Sequence, residues 1–400
     1  MTVMQRARPR HALANDSAIS AAAVDMIAER GWDATTLAGV TTAASLTYGA
    51  GYSRYADRVD LALHLWSHTL EGELSSAFAA ADEAIGASPT DVAAALTAFF
   101  RPSASLLAAV DLLQAAAFDD RLQDAIWSAA RTQPRLTPLT HPGMAVTAMP
   151  AEGTPSVVRA TTRVLALGLL LIARRPWVAE IDPAPEFARY AHALRNPVTA
   201  MSLPEVPAEH LRDEPFQSDD ERVDAVLNAT AHEVGSRGYR GATLNRIIRA
   251  SSCSPAYIYQ RWPAKRDLVA AAGEALLERG IAANAQFLED LSVTYGRGIA
   301  EAVAWRSVTA ADLGPQRRVL LEINRAATFD EQMAALVNRP ETALMQAQTT
   351  PDARAYAHTE IALGLGLALA ANLWPQIEHL PFDTITVPLT EGTPILSPIT

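Results

Sequence analysis

Residues 238–268, GYRGATLNRIIRASSCSPAYIYQRWPAKRDL, return without a gap 207 positions earlier as residues 31–61, GWDATTLAGVTTAASLTYGAGYSRYADRVDL. Gly238 falls on Gly31, Thr243 on Thr36, Ile247 on Val40, Ser254 on Thr47, Tyr259 on Tyr52, Arg261 on Arg54, Trp262 on Tyr55, Lys265 on Arg58 and Leu268 on Leu61. A repeat of this length that keeps register means two copies of one folding unit, so any fold for the chain must contain that unit twice.

Each copy reads as three helices. In the second, Ser218 with Glu221 three residues on predicts a capping box, followed by Val223, Val226, Leu227, Thr230 and Val234 at helical spacing. Gly238 supplies a left-handed residue to end that helix. Thr243 is placed to cap a second helix over about 244–251, whose apolar face is Leu244, Ile247 and Ile248. Ser254 caps a third, with Pro255 at the first helical position, where a missing N–H and a fixed φ are tolerated. The short Ser251-Ser252-Cys253 turn brings the second and third helices close, as a helix-turn-helix requires. The first copy repeats the scheme with Asp16 or Ser17 as cap, Ile19, Ala23 and Ile27 as apolar stripe, Gly31 as stop, and Thr36 and Thr47 as later caps.

These residues resemble the N-terminal domain of the TetR family of transcriptional regulators. The resemblance rests on the G-aromatic-x-x-[AT]-T run, the [AS]-[SG]-x-[ST] turn and the Y-x-x-aromatic-x-x-[KR]-x-x-L tail, each present in both copies. It implies that the third helix enters the major groove of double-stranded DNA. It also implies that Thr243, Tyr259 and Lys265, with Thr36, Tyr52 and Arg58 in the first copy, touch phosphate. Gln260 and Arg261, beside Tyr257, fall at base-reading positions, matched by Ser53 and Arg54 in the first copy. Arg suits guanine O6 and N7, and Gln suits adenine N6 and N7. Arg246 and the third-helix caps Ser254 and Thr47 complete the expected DNA-binding set.

The copies are unequal. Between Arg240 and Arg266 the second carries Arg240, Arg246, Arg249, Arg261, Lys265 and Arg266 with no acid, whereas the first has Arg54 and Arg58 against Asp57. Phosphate neutralisation supplies most non-specific affinity, so the second copy is expected to bind DNA more strongly. Gly51 stands where the family pattern and Ile258 place an apolar residue, which weakens the first copy's third helix. Ala256 stands where the family has the glycine kept as Gly49.

A net charge of -11 confines any DNA-binding surface to a local patch, and Lys265 is the single lysine, so almost all positive charge is guanidinium. One cysteine excludes a disulfide framework and fits a reducing, cytoplasmic compartment; Cys253 aligns with Leu46 and reads as a small apolar turn residue. The start, MTVMQRARPRH, reads as a disordered terminus, or as an arm whose Arg6, Arg8 and Arg10 follow a groove. The most apolar run, residues 164–173, is too short to cross a bilayer, so no membrane role is expected.

Beyond the repeats the chain stays Ala/Leu-rich and helical, without a period-two pattern. A fourth helix is expected over about 57–81 and its copy over about 264–284. Residues 116–122 align with 327–333 at an offset of 211, and 165–169 with 363–367 at 198, so the regulatory part is duplicated as well. The expected fold is all-α, in two TetR-like halves. A first DNA-binding domain spans 12–60, a first regulatory domain 61–200, a linker 201–217, a second DNA-binding domain 218–268 and a second regulatory domain 269–400. Pro176, Pro183, Pro185, Pro197, Pro204, Pro207 and Pro215 break helices through the connection, and Pro375, Pro381, Pro388, Pro394 and Pro398 predict an irregular tail. Leu, Ala and Gly on more than one face of 161–173 and 359–371 require burial. In the resembled family the last two long helices pair between subunits. Here these two are expected to meet within one chain as an intrachain pseudo-dimer, with further homodimerisation left open.

His64 and His68, at i and i+4 near Glu71, lack a third ligand and read as a half-exposed helix face, so neither a metal nor another cofactor is expected. No catalytic constellation is present, and no enzymatic activity is expected. Phe99, Phe100, Phe118, Trp127, Trp305 and Phe329 are candidates to line a cavity for a small hydrophobic effector, with core packing as the other reading. The function expected is a ligand-responsive repressor with half-sites about 34–36 Å apart on an imperfect palindrome. The alternative is a small-molecule or partner-binding protein whose helix-turn-helix no longer binds DNA.

Overall fold

The computed structural model describes residues 10–139, 156–207 and 215–391. In chain order the helices are α1 (Arg10–Arg30), α2 (Leu37–Ala43), α3 (Tyr48–Tyr52), α4 (Arg58–Leu65), α5 (Glu71–Ala87), α6 (Pro89–Phe100), α7 (Ala104–Ala115), α8 (Asp120–Leu122), α9 (Ser128–Thr132), α10 (Ser156–Ile172) and α11 (Ala184–Arg195). They continue with α12 (Glu221–Gly241), α13 (Leu244–Ser251), α14 (Pro255–Arg261), α15 (Lys265–Tyr295), α16 (Arg297–Thr309), α17 (Gly314–Thr328), α18 (Glu331–Val337), α19 (Arg339–Ala347), α20 (Pro351–Leu373) and α21 (Asp383–Thr390). Among the described residues there is no strand, and the fold is all-α. It divides into two compact units, Met1–Leu74 with Pro102–Trp127, and Ser75–Arg101 with Ser128–Thr400. The stretch 61–200, expected as one domain, is thus shared between them.

In the first unit α1 buries Ile19, Ala23 and Ile27 completely. It starts by Arg10, so neither Asp16 nor Ser17 caps it; Asp16 lies inside the helix, ion-paired to Arg54. Gly31 turns the chain at φ 78°, ψ 161°, a region open only to glycine yet outside the left-handed helical basin expected of it. The Thr36 hydroxyl then accepts from the Gly39 N–H at 3.0 Å to open α2. Gly51 is needed where it stands: a Cβ there would come within 2.3 Å of Thr41 Cγ2, so α3 rests directly on α2. Asp57 caps α4 through the Asp60 N–H, and a π-helical turn, Trp66–Leu70, connects to α5 and carries the helix well past residue 81.

The second unit repeats the head. Asp220, not Ser218, caps α12, accepting from the Arg222 and Val223 N–H groups; Ser218 sits one step earlier and accepts from the Asp220 N–H at 3.3 Å. Gly238 turns at φ 71°, ψ 166°, repeating Gly31. Both α2–α3 and α13–α14 turns pass through a left-handed serine, Ser45 at φ 57° and Ser252 at φ 56°. Val226, Val234, Ile247, Ile258 and Leu268 form the head's core, closed by Val319 and Ile323 of α17. The later repeat holds too: Asp119 caps α8 and Asp330 caps α18, followed by the buried Leu122 and Met333.

Helices α10 and α20 cross with their backbones in direct contact. A Cβ on Gly168 would lie 1.8 Å from the Ala362 carbonyl oxygen, and one on Gly366 2.0 Å from that of Val164. Backbones touch there because both helices present glycine. The chain at the start of the expected linker is docked on this unit: the Val198 N–H, just before it, donates to the Thr384 carbonyl at 3.0 Å and the Met201 N–H to Asp383 at 2.5 Å. Pro388 explains the first bond. It cannot donate back to Thr384, and the carbonyl so released takes Val198 instead. The tail is therefore helical over α21, with Ile385 and Leu389 buried, where proline content predicts irregular chain; Pro394 and Pro398 lie outside the described residues.

Candidate nucleic-acid interface

The third helix of each head is set by its cap. On α14 the Ser254 hydroxyl accepts from the Tyr257 N–H at 3.3 Å, Pro255 opens the helix, and Ile258 is buried on the inner side. Helical geometry then leaves Ala256, Tyr259, Gln260 and Arg261 outward, with Tyr259 46 % exposed. Tyr257 leans back, its hydroxyl donating to Asp220 at 3.1 Å. Asp220 Oδ2 also lies 4.0 Å from the exposed Arg261 guanidinium. Burial pushes the Asp220 carboxyl up, but the N–H groups of Arg222 and Val223, the Tyr257 hydroxyl and the Arg261 charge outweigh it and hold it below the ordinary range. A contact this long between exposed groups is weak, so Arg261 is oriented without being withdrawn from solvent.

Around α14, Arg240, Arg249 and Arg266 are exposed and Arg246 half-buried, while Thr243, at the start of α13, is exposed and makes no capping bond with its hydroxyl. Lys265 is engaged differently from a simple phosphate contact. Its ammonium donates to the Tyr239 carbonyl at 2.8 Å and sits 4.1 Å from the centre of that ring.

In the first head Tyr52 is 44 % exposed and Thr47 and Ser53 are at the surface, but α3 is two residues shorter than α14 and the Thr47 hydroxyl makes no capping bond. Arg58 repeats Lys265: it donates to the Trp32 carbonyl at 3.2 Å and lies 4.6 Å over the ring. Arg54 does not repeat Arg261. It is held by Asp16 and by the Ala50 carbonyl at 2.8 Å, with only 21 % of its side chain exposed. The sequence difference between the copies is thus widened by the fold. Arg6 and Arg8 lie outside the described residues.

Each head is joined to its helical core by a bond that sequence reasoning missed. After Gly31 the Trp32 N–H points at α7 and donates to Asp111 Oδ2 at 2.6 Å; after Gly238 the Tyr239 N–H donates to Glu322 Oε1 of α17, also at 2.6 Å. Asp111 and Glu322 are 211 positions apart and almost fully buried. A charged acceptor on a main-chain donor contributes about 1.5–3 kcal/mol. Glu322 is further gripped by Arg325 at 2.7 and 2.9 Å, where Gln114 stands in the first copy. The one available signal was Asp111 in the middle of the largely apolar α7; α17, with several other polar residues, offered none.

The six aromatics expected around an effector are distributed over separate packing clusters, with Phe100 meeting Phe187 edge-on at 6.2 Å. Phe99 lies against Phe78 with ring centres 5.9 Å apart, and Trp305 meets Phe382 edge-on at 5.6 Å. The Trp127 Nε1–H donates to the Leu113 carbonyl at 2.9 Å, Phe329 lies half-buried under Arg174, and Phe118 is half-buried in the turn after α7. His64 and His68 stack at 4.1 Å.

The geometry defines a helix-turn-helix head. Residues 226–272, the core of the second head, match the family model of the bacterial regulatory proteins of the tetR family, which are DNA-binding transcription regulators. No curated protein matches the chain. Among the described residues no single helix is long and apolar enough to cross a membrane.

Proposed function

We propose that this protein is a one-component transcriptional repressor in which α14 reads operator DNA. The observation that carries the reading is the outward set Tyr259, Gln260 and Arg261 on a capped helix, flanked by Arg240, Arg246, Arg249 and Arg266 without an acid between. Gln260 and Arg261 read bases; Thr243, Tyr259 and Lys265 steady the backbone. The first head adds Thr36, Thr47, Tyr52 and Ser53 and contributes fewer charges, so the operator departs from symmetry. The two halves act as an intrachain pseudo-dimer, a reading supported by the close α10–α20 crossing. A small effector favouring the released state by a few kcal/mol is enough to clear the operator. No enzymatic role is proposed, and the site of action is the cytoplasm.

The test is fluorescence anisotropy on DNA fragments flanking the protein's own gene, repeated over a range of salt. Affinity that falls steeply with salt, and an Arg261→Ala variant weakened by roughly 1–3 kcal/mol at one base pair, support it. No salt-sensitive binding to any fragment refutes it. That result favours the second reading, a partner- or ligand-binding protein, to which the withdrawal of Arg54 by Asp16 already lends weight for the first head.

A further inference from the structure

The carboxylate of Asp220 serves two helices at once. Its Oδ1 accepts from the Arg222 and Val223 N–H groups at 3.0 and 3.4 Å and so caps α12. Its Oδ2 faces α14, where the Tyr257 hydroxyl donates to it at 3.1 Å and Arg261 Nη1 stands 4.0 Å away. Tyr257 and Arg261 are four residues apart, so both lie on one side of α14 and reach the same oxygen. The Tyr257 ring is itself covered by the Arg222 guanidinium, 5.6 Å from its centre. Asp220 is thereby fixed from both ends beside the one arginine that α14 carries, with 46 % of its own side chain and 54 % of that of Arg261 exposed.

Beside a helix that reads DNA, a carboxylate repels phosphate and so opposes binding. Capping alone does not call for that charge, because serine and asparagine cap a helix about as well. Nor does the repeat demand it: at the 207-residue offset Leu13 and Ala50 stand for Asp220 and Tyr257. The first head treats its arginine differently. Arg54 gives its donors to Asp16 and to the Ala50 carbonyl, and only 21 % of its side chain stays exposed. Arg261 presents Nη1 alone to Asp220, at a separation too long for a hydrogen bond, and a guanidinium has five N–H groups. Asp220 therefore takes net charge from Arg261 and leaves its hydrogen-bonding capacity intact.

We propose that Asp220 is a specificity-determining residue, whose negative charge cancels the pull of Arg261 on phosphate while leaving the guanidinium N–H groups for a base edge. On random DNA the pair approaches the backbone as a neutral unit, and Arg261 releases no counterion. At the operator the same N–H groups meet guanine O6 and N7, acceptors that need no net charge opposite them. Arg261 thus strengthens binding to the operator and adds little to binding elsewhere. The inference rests on α14 reading DNA, and it concerns the ratio of two affinities rather than either affinity alone.

The test compares, on the full chain, the operator fragment with a random-sequence duplex of equal length by fluorescence anisotropy across a salt series. Asp220→Asn keeps a cap of about equal strength and should keep its urea midpoint. It should bind random DNA more tightly, with a salt slope steeper by about 0.9, the increment of one further phosphate contact, and its operator-to-random ratio should fall about threefold or more. Asp220→Ser, a second uncharged cap, should give the same values. In an Arg261→Ala background Asp220→Asn should leave the ratio unchanged, because no guanidinium is then released. The inference is overturned by wild-type ratio and slope in both uncharged variants, or by the same fall in ratio with Arg261 absent. Wild-type protein that binds no fragment overturns the operator-binding reading and this inference together; wild-type binding with an unmoved ratio in the variants overturns this inference alone.

Discussion

Gly168→Ala adds one methyl group where α10 and α20 meet backbone to backbone. Its Cβ would stand 1.8 Å from the Ala362 carbonyl oxygen, and ordinary contact begins near 3.4 Å, so α10 and α20 must part locally by about 1.6 Å. The obstacle is main chain, which no rotamer change can clear. Overpacking of this kind costs about 1–3 kcal/mol and a gap of that width forfeits much of the dispersion energy along the seam, against about 1 kcal/mol regained in helix propensity. The expected net loss is about 2–4 kcal/mol. Gly366→Ala meets Val164 at 2.0 Å and should lose a similar amount. The double variant should lose little more than either single one, because helices already apart accept the second methyl. Gly364, two residues away on α20, has nothing within 4 Å of its would-be Cβ, so Gly364→Ala should gain about 0.5–1 kcal/mol. Urea unfolding followed by far-UV circular dichroism measures all four. A Gly168→Ala midpoint at or above wild type, additive losses in the double variant, or equal harm from Gly364→Ala would refute the close-crossing argument.

Three further outcomes are expected. Arg261→Ala should weaken operator binding about tenfold or more, whereas Arg54→Ala should mainly destabilise the first head by removing the ion pair with Asp16; paired anisotropy and thermal melts distinguish the two. Glu322→Ala removes the carboxylate that Arg325 and the Tyr239 N–H both bind and should cost about 3–5 kcal/mol; a stability within about 1 kcal/mol of wild type in urea titrations would contradict this. His358 lies between Phe100 and Trp177 without a hydrogen bond, and burial lowers its pKa to about 4. Between pH 6.5 and 4 the unfolded imidazole takes up a proton that the folded one refuses, so stability falls as pH drops through that window, by about 3 kcal/mol in all. In His358→Leu that portion of the acid slope should vanish from urea titrations; an unchanged slope would assign it to other groups.

Much of the architecture was legible because it is local and written twice. Gly31 and Gly238, the Ser254 cap with Pro255, and the bounds of α13 follow from spacing and turn chemistry alone. The misses have physical causes. Ser218 and Asp220 both suit an N-cap, and the choice went to the carboxylate that also reaches Tyr257. Asp16 reads as a cap until Arg54, remote in sequence, claims it inside the helix. Pro388 reads as a breaker until Val198, remote in sequence, supplies a donor for the carbonyl it releases. The expected base-reading positions came from the family resemblance, but the state of each arginine depends on a partner that no local pattern names.

The α10–α20 seam has a consequence for cells holding few copies. A regulator built from two separate subunits comes apart on dilution, and its active fraction tracks its own expression. In the proposed pseudo-dimer both sides of the seam arrive on one polypeptide, so that pairing does not depend on concentration. The proposed halves, with no twin to match, can also diverge: Arg54 is held by an internal partner while Arg261 stays at the surface.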